Sequence, residues 1–340
     1  MLRDILPKLA KGLRLQQQEA HDAIAAVMAA NAHPAELAAM LTAMAVRGEA
    51  PEELAGAAQA MRQAMTTIPL PDHLDPIDTC GTGGDALKTF NISTTAAIVA
   101  SAAGACVAKH GNHTATRSSG SADLLAQLGI RLDPTVQTLQ RCLTQIGIAF
   151  LYARALHPAM RHAADVRKAL PFRTIFNLLG PLCNPAKARR QLIGCSSQPA
   201  ATLVAEALAQ LNEPVCHRAW VFCGHANCCE LALSGQSLVY EVSNHSVRSF
   251  AIVPEALNLP PADWSALLAS DPADSARIVR AVLTGQLTGP HRDVVCLNAG
   301  ATLVVADLAT DLPEAINTAR KAIDSGAAAA KLDDWIKLQQ

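Results

Sequence analysis

Asp78-Thr79-Cys80-Gly81-Thr82-Gly83-Gly84-Asp85, running on into Thr89-Phe90-Asn91-Ile92-Ser93-Thr94, is the stretch that decides the fold of this 340-residue chain. Pro76-Ile77 reads as the end of a short strand, Gly81, Gly83 and Gly84 as a loop, and Ser93 onward as an apolar helix. A glycine turn exposes backbone N–H groups because no Cβ blocks approach. The N-terminus of the following helix adds partial positive charge. Together they predict a phosphate cradle. It differs from the Walker loop, since no Gly-Lys-Ser/Thr follows, and from G-x-G-x-x-G. Read alone, three glycines favour a tight turn between strand and helix.

A second block changes the balance. Lys109-His110-Gly111-Asn112 follows a strand-like 105–108, and a polar run leads to Ser118-Ser119-Gly120-Ser121-Ala122-Asp123. By itself Lys109-His110 reads as a solvated loop. Ligands of open α/β sheets bind at the carboxyl ends of strands, so two such loops predict one extended polyphosphate ligand.

Composition narrows the class. Half the residues are apolar and only 3% aromatic, so alanine and leucine must build the core. The net charge of −1 gives no global field for nucleic acid or an anionic membrane. The N-terminus does not read as a secretory signal, and the nearly uncharged 94–108 is too short to span a bilayer. Ten irregularly spaced cysteines predict reduced thiols.

The N-terminal part reads as helical. Pro34 opens a helix with apolar Leu37, Met40, Leu41, Met44 and Val46 that stops near Gly48, and Pro51 opens another with Leu54, Ala58, Met61 and Met65. The proline-bearing 66–75 reads as a linker. Strands are predicted at 105–108, 149–152, 190–195, 219–223 and 237–242. Helices are predicted at 122–128, 159–170, 200–211, 276–283 and 312–325. This alternation predicts an α/β sheet wrapped by helices.

On these motifs the chain resembles the anthranilate phosphoribosyltransferase family, of the nucleoside phosphorylase-like class. The resemblance continues through His157-Pro158-Ala159-Met160, Arg173-Thr174-Ile175-Phe176-Asn177-Leu178-Leu179-Gly180-Pro181-Leu182 and Asn184-Pro185, and reaches Ile323-Asp324-Ser325-Gly326-Ala327. It implies a small helical domain (1–70, with a return segment near 170–190) and a large α/β domain (76–340) with a central mixed sheet. The implied reaction transfers phosphoribose from 5-phosphoribosyl 1-diphosphate to anthranilate in tryptophan biosynthesis. The alternatives are a paralogue with another aromatic carboxylate acceptor and an impaired binding protein on the same scaffold. The resemblance implies a cytoplasmic homodimer joined through the helical domain, with no nucleic-acid or membrane partner.

By resemblance the donor is bound by Gly81, Gly84, Asp85, Thr89, Asn91, Ile92, Ser93, Thr94, Lys109, His110, Gly111, Asn112, Arg117 and Ser121. The acceptor meets Gly81, Asn112 and Arg167. Taken alone, Arg167 reads as a surface arginine. His110 and His157 either support the structure or line the acceptor channel. No residue is assigned as acid or base. Magnesium is implied at Ser93 and Glu230.

The pattern breaks at Cys223-Gly224-His225-Ala226-Asn227-Cys228-Cys229-Glu230. Cys229 stands where the family has an aspartate beside the retained glutamate. A thiol suits magnesium poorly, so one metal site is expected and the second is weakened. Cys223, His225, Cys228 and Cys229 are soft-metal ligand types without a known finger spacing, and ordinary substitution by cysteine is favoured. His113 replaces a usual arginine, and Arg117 a usual small hydroxyl residue.

Overall fold

In the computed structural model, residues 2–85, 87–113, 119–213 and 215–340 are described. Four helices come first: α1 (Leu2–Ala10), α2 (Gln17–Met28), α3 (Pro34–Arg47) and α4 (Pro51–Ala64). Proline at the first position of α3 and α4 removes an N–H that has no helical partner there. Glu53, fully buried in the first turn of α4, joins the bundle. Its carboxylate accepts from Leu15 N (2.7 Å), Ala50 N (2.9 Å) and the Arg47 guanidinium (2.5 Å). Gly56 lets α4 lie directly on α2, because a Cβ there would stand 2.0 Å from the Gln17 carbonyl oxygen.

The α/β part begins with β1 (Ile77–Gly81), α5 (Ile92–Ala102), β2 (Val107–Gly111), α6 (Ser121–Leu128), α7 (Val136–Arg141) and β3 (Ile148–Tyr152). The chain then returns to the bundle through α8 (Ala153–Leu156), α9 (Arg161–Ala169) and α10 (Phe176–Leu179). It re-enters the sheet with β4 (Arg190–Gly194), α11 (Gln198–Ala209), β5 (Arg218–Cys223), β6 (Ser237–Ser243) and β7 (Ser246–Ile252). It closes with α12 (Pro272–Leu283), α13 (Pro290–Val305), α14 (Leu312–Asp324) and α15 (Ala327–Leu338).

The seven strands lie in the order β3-β2-β1-β4-β5-β6-β7. The first five are parallel, and β6 and β7 add as antiparallel neighbours. The expected mixed sheet is therefore present. One core cluster joins α5, α12, α13 and α14 to the sheet. The other joins α2, α3 and α4 to α9, α10 and α11.

Three local readings are corrected. Ile77 starts β1 rather than ending a strand. Asp78 and Thr79 follow it within β1 and are buried, and Asp78 Oδ1 accepts from His110 N at 2.9 Å. Lys109 and His110 belong to β2 rather than to the loop after it, because each buried polar head finds a partner. Lys109 Nζ donates to the Thr79 carbonyl, and His110 Nδ1 to that of Gly180. The linker 66–75 is tied down through Thr66 N to Leu156 O and Ile68 N to Pro185 O.

Gly56→Ala is expected to lower the stability of the protein by at least about 1–3 kcal/mol, the usual range for overpacking. Urea unfolding measures it. Unchanged stability would mean that α2 and α4 can separate at no cost.

Candidate active site

The parallel strands end on one side of the sheet, and the loops beyond β1, β2 and β5 meet there. They line an open cavity of about 220 Å³ whose walls include Gly81, Thr82, Gly83, Asn91, Ser93, Thr94, Lys109, Asn112, Ser121, Cys229 and Glu230. Convergence depends on missing side chains. A Cβ on Gly81 would lie 2.9 Å from the Gly194 carbonyl oxygen, and one on Gly194 would lie 1.8 Å from that of Cys229.

The cradle is held from behind. Lys109 Nζ also reaches Ser93 Oγ at 3.4 Å, which brings the cation to the first turn of α5. Asn91 is fixed by Ser275, whose Oγ donates to Asn91 Oδ1 at 2.7 Å, and by the Ser119 carbonyl, which accepts from Asn91 Nδ2 at 3.1 Å. Thr94 lines this cavity, and its buried hydroxyl has no hydrogen-bond partner among the described residues. Burial pushes the Asp78 carboxyl up to about 6, against hydrogen bonds from Asn184 and the His110 backbone that favour its charged form.

Glu230 is set by its neighbours. Asn298 on α13 brackets Leu231, accepting from its N and donating to its carbonyl, both at 3.0 Å. Asp85, Cys228 and Glu230 bring ligand atoms within 4.8 Å of one another. Cys228 Sγ lies 2.9 Å from Glu230 Oε2, whereas Cys229 donates its N–H to Asp85 Oδ2 at 3.3 Å. The thiol beside Glu230 is thus that of Cys228, and Cys229 lines the cavity.

A second cavity of about 550 Å³ adjoins the first and shares His110 and Asn112 with it. Arg167, Arg154, His157, Met160 and Phe176 also line it. The Arg167 guanidinium stands 5.3 Å over the Phe176 ring, and burial lowers its pKa. His110 Nδ1–H donates to Gly180 O, so its Nε2 is left to accept from His157 Nε2 at 3.2 Å.

Comparison with known proteins decides the family. Residues 74–329 match the glycosyl transferase family a/b domain, and residues 3–65 match the helical bundle domain of the same family. The chain is 44% identical to the anthranilate phosphoribosyltransferase of Rubrobacter xylanophilus, covering all of this chain and 98% of that one. It is 45% identical to that of Roseiflexus castenholzii, over 98% and 97%. The chain belongs to the anthranilate phosphoribosyltransferase family. Among solved structures, the Thermus thermophilus enzyme superposes with a TM-score of 0.92 at 38% identity, over 99% of both chains. The Saccharomyces cerevisiae enzyme in complex with PRPP and Mg superposes with a TM-score of 0.90 at 28% identity, over 99% and 97%. The chain is accordingly a transferase of phosphoribose to anthranilate.

Within that family reading, the residues named from the sequence divide by position. Gly81, Asn91, Ser93, Thr94, Lys109, His110, Gly111, Asn112 and Ser121 line the first cavity. Asp85 lies behind it at Glu230, and Thr89 is buried in a bridge to Leu268. The Ile92 side chain is in the core. The Cα of Gly84 packs beneath Arg173, and the residue is not part of the cavity wall. Gly81 faces the first cavity and not the second, where Arg167 lies. Arg117 lies outside the described residues. Gly83 of the predicted glycine cradle also lines the first cavity, and sequence reasoning missed Cys80, Thr82, Ser119 and Gly120 as lining residues. All four lie inside quoted motifs, and only the loop path selects them.

The histidine pair gives a pH signature. Burial pushes His110 down to about 3 and His157 to about 4, against an ordinary value of 6.5. Between pH 6.5 and 4 the unfolded chain therefore binds more protons at these positions, and stability falls as pH falls. Asp78, raised to about 6, opposes this with a single group, its contribution being lost as pH rises through 6. The urea midpoint is expected to drop from pH 7 to pH 5, and His157→Gln to reduce the drop. A midpoint independent of pH over that interval would contradict two neutral imidazoles.

Proposed function

We propose that the first cavity binds 5-phosphoribosyl 1-diphosphate and that the second admits anthranilate to it. The shared wall at His110 and Asn112 carries this reading, because it brings donor and acceptor together. The loop amides and the α5 N-terminus receive the diphosphate, with Lys109 as a point charge. Gly81, Gly84, Asp85, Thr89, Asn91, Ile92, Ser93, Thr94, Gly111, Ser121 and Arg117 complete the donor set. Arg167 takes the acceptor carboxylate, for which a planar guanidinium is suited, and Asn112 lies where the substrates meet.

Charge accumulates on diphosphate as its bond to ribose breaks, so catalysis rests on positioning and charge stabilisation. An aromatic amine needs little activation, and no side chain is assigned as base. Magnesium, when bound, neutralises phosphate charge. The oxygens of Ser93, Glu230 and Asp85 suit such a hard ion, and the Cys228 thiol beside Glu230 suits it poorly. We propose one firm metal position and a weak second one.

We also propose domains of 1–70 with a return near 170–190, and 76–340. Homodimers form through the helical part, where Leu13 and Val46 are exposed large apolar residues. A cytoplasmic location fits ten free cysteines. No helix among the described residues is long and apolar enough to cross a membrane.

Calorimetry with magnesium should show saturable donor binding, weakened roughly tenfold or more in Lys109→Ala, since a charged hydrogen bond contributes about 1.5–3 kcal/mol. Arg167→Ala should raise the acceptor KM and leave the donor KM in place. Equal rises would refute the division of roles.

Cys229→Asp restores a carboxylate to the cavity wall. It should lower the magnesium concentration giving half-maximal rate. An unchanged magnesium dependence would show that residue 229 does not face the metal.

A further inference from the structure

Arg173 lies in the return segment, between α9 and α10, and reaches across to the glycine loop after β1. Its Nη1 donates to the Gly83 carbonyl at 2.8 Å and to Ser196 Oγ at 3.3 Å, and its Nη2 to the Thr82 carbonyl at 3.4 Å. Among the described residues no carboxylate lies within ion-pair distance of it, so its charge is directed at these oxygens. Ser196 in turn donates its N–H to Thr82 Oγ1 at 3.3 Å. Gly84 is shaped to this contact. It has φ +85°, and a Cβ there would stand 1.5 Å from Arg173 Nη1.

The peptide geometry gives the contact a consequence. In a trans peptide the C=O and the next N–H point to opposite sides. Holding the Thr82 and Gly83 carbonyls on the outer side turns the N–H groups of Gly83 and Gly84 to the other side. Thr82 and Gly83 line the first cavity, whereas Arg173 is not among its lining residues. The guanidinium therefore grips the loop from outside. Its fork meets two carbonyls at once, which a lysine ammonium cannot reproduce in the same plane.

We propose that Arg173 is a positioning residue for the donor: by holding the Thr82 and Gly83 carbonyls it aims the Gly83 and Gly84 amides at the diphosphate. This rests on the donor reading of the glycine loop. It adds that the loop is set from the helical side of the molecule, by the same return segment that carries Arg167.

Arg173 is exposed, so Arg173→Ala should leave the thermal midpoint of the protein near that of the parent. Calorimetry with 5-phosphoribosyl 1-diphosphate and magnesium should show roughly tenfold weaker binding, the scale of losing charge-assisted hydrogen bonds. In steady-state kinetics the donor KM should rise and the acceptor KM stay within about twofold, and Arg173→Lys should recover only part of the loss. Gly84→Ala should harm donor binding strongly in the parent and less in the Arg173→Ala background, because the guanidinium that its new Cβ would strike is then gone while the strain of φ +85° remains in both. Parent-like donor affinity in Arg173→Ala, equal rises in both KM values, or additive effects of the two substitutions would each overturn the proposal. Failure of the parent itself to bind donor would instead remove the cradle reading, and the proposal with it.

Discussion

Close approach of backbone to backbone at the ends of the central strands is the constraint on which the site depends. Gly81 and Gly194 are register partners on β1 and β4, and neither has room for a Cβ. Gly224, just past β5, meets the Glu230 carbonyl oxygen in the same way, at 2.0 Å from an ideal Cβ. The segment with Cys229 and Glu230 can therefore lie across β1 and β4, against the loop that carries Asp85. A methyl group at any of these positions would lift that segment away from Ser93 and Lys109. Glycine here works through volume. The positive φ of Gly83 and Gly84 is a separate demand of the turn.

The sequence displayed much of the architecture because its signals were local. Prolines at helix starts, apolar repeats and glycine turns gave the helical bundle, most strands and the strand-loop-helix cradle. Other elements were hidden by burial. α13 is apolar on nearly every side, so it lacks the one-sided pattern that identifies an amphipathic helix. β7 is a serine- and arginine-bearing edge strand with little buried surface. Lys109 and His110 read as loop residues because their partners, Thr79 and Gly180, come from other elements.

Site residues follow the same division. Gly81, Ser93 and Lys109 stood in short motifs with a physical meaning of their own. The role of Asn298 in holding Leu231, and of Ser275 in holding Asn91, joins residues far apart in the chain. No spacing rule reaches them. The cysteine pair shows a finer limit. Alignment of motifs directs attention to Cys229, yet side-chain direction places the Cys228 sulfur at Glu230. Neighbouring residues of an irregular loop are separated only by its backbone path.

The interleaving of the two bodies bears on synthesis. α4 ends at Ala64, but Ala163, Val166, Ile175 and Leu179 share a core with Leu37, Met40 and Leu54. A ribosome adding about 5–20 residues per second leaves the first helices without that cover for on the order of 5–20 s. During that interval the emerging bundle presents an apolar face while β1, β2 and β3 are still being made. The bundle core can therefore close only after the chain has passed Leu182.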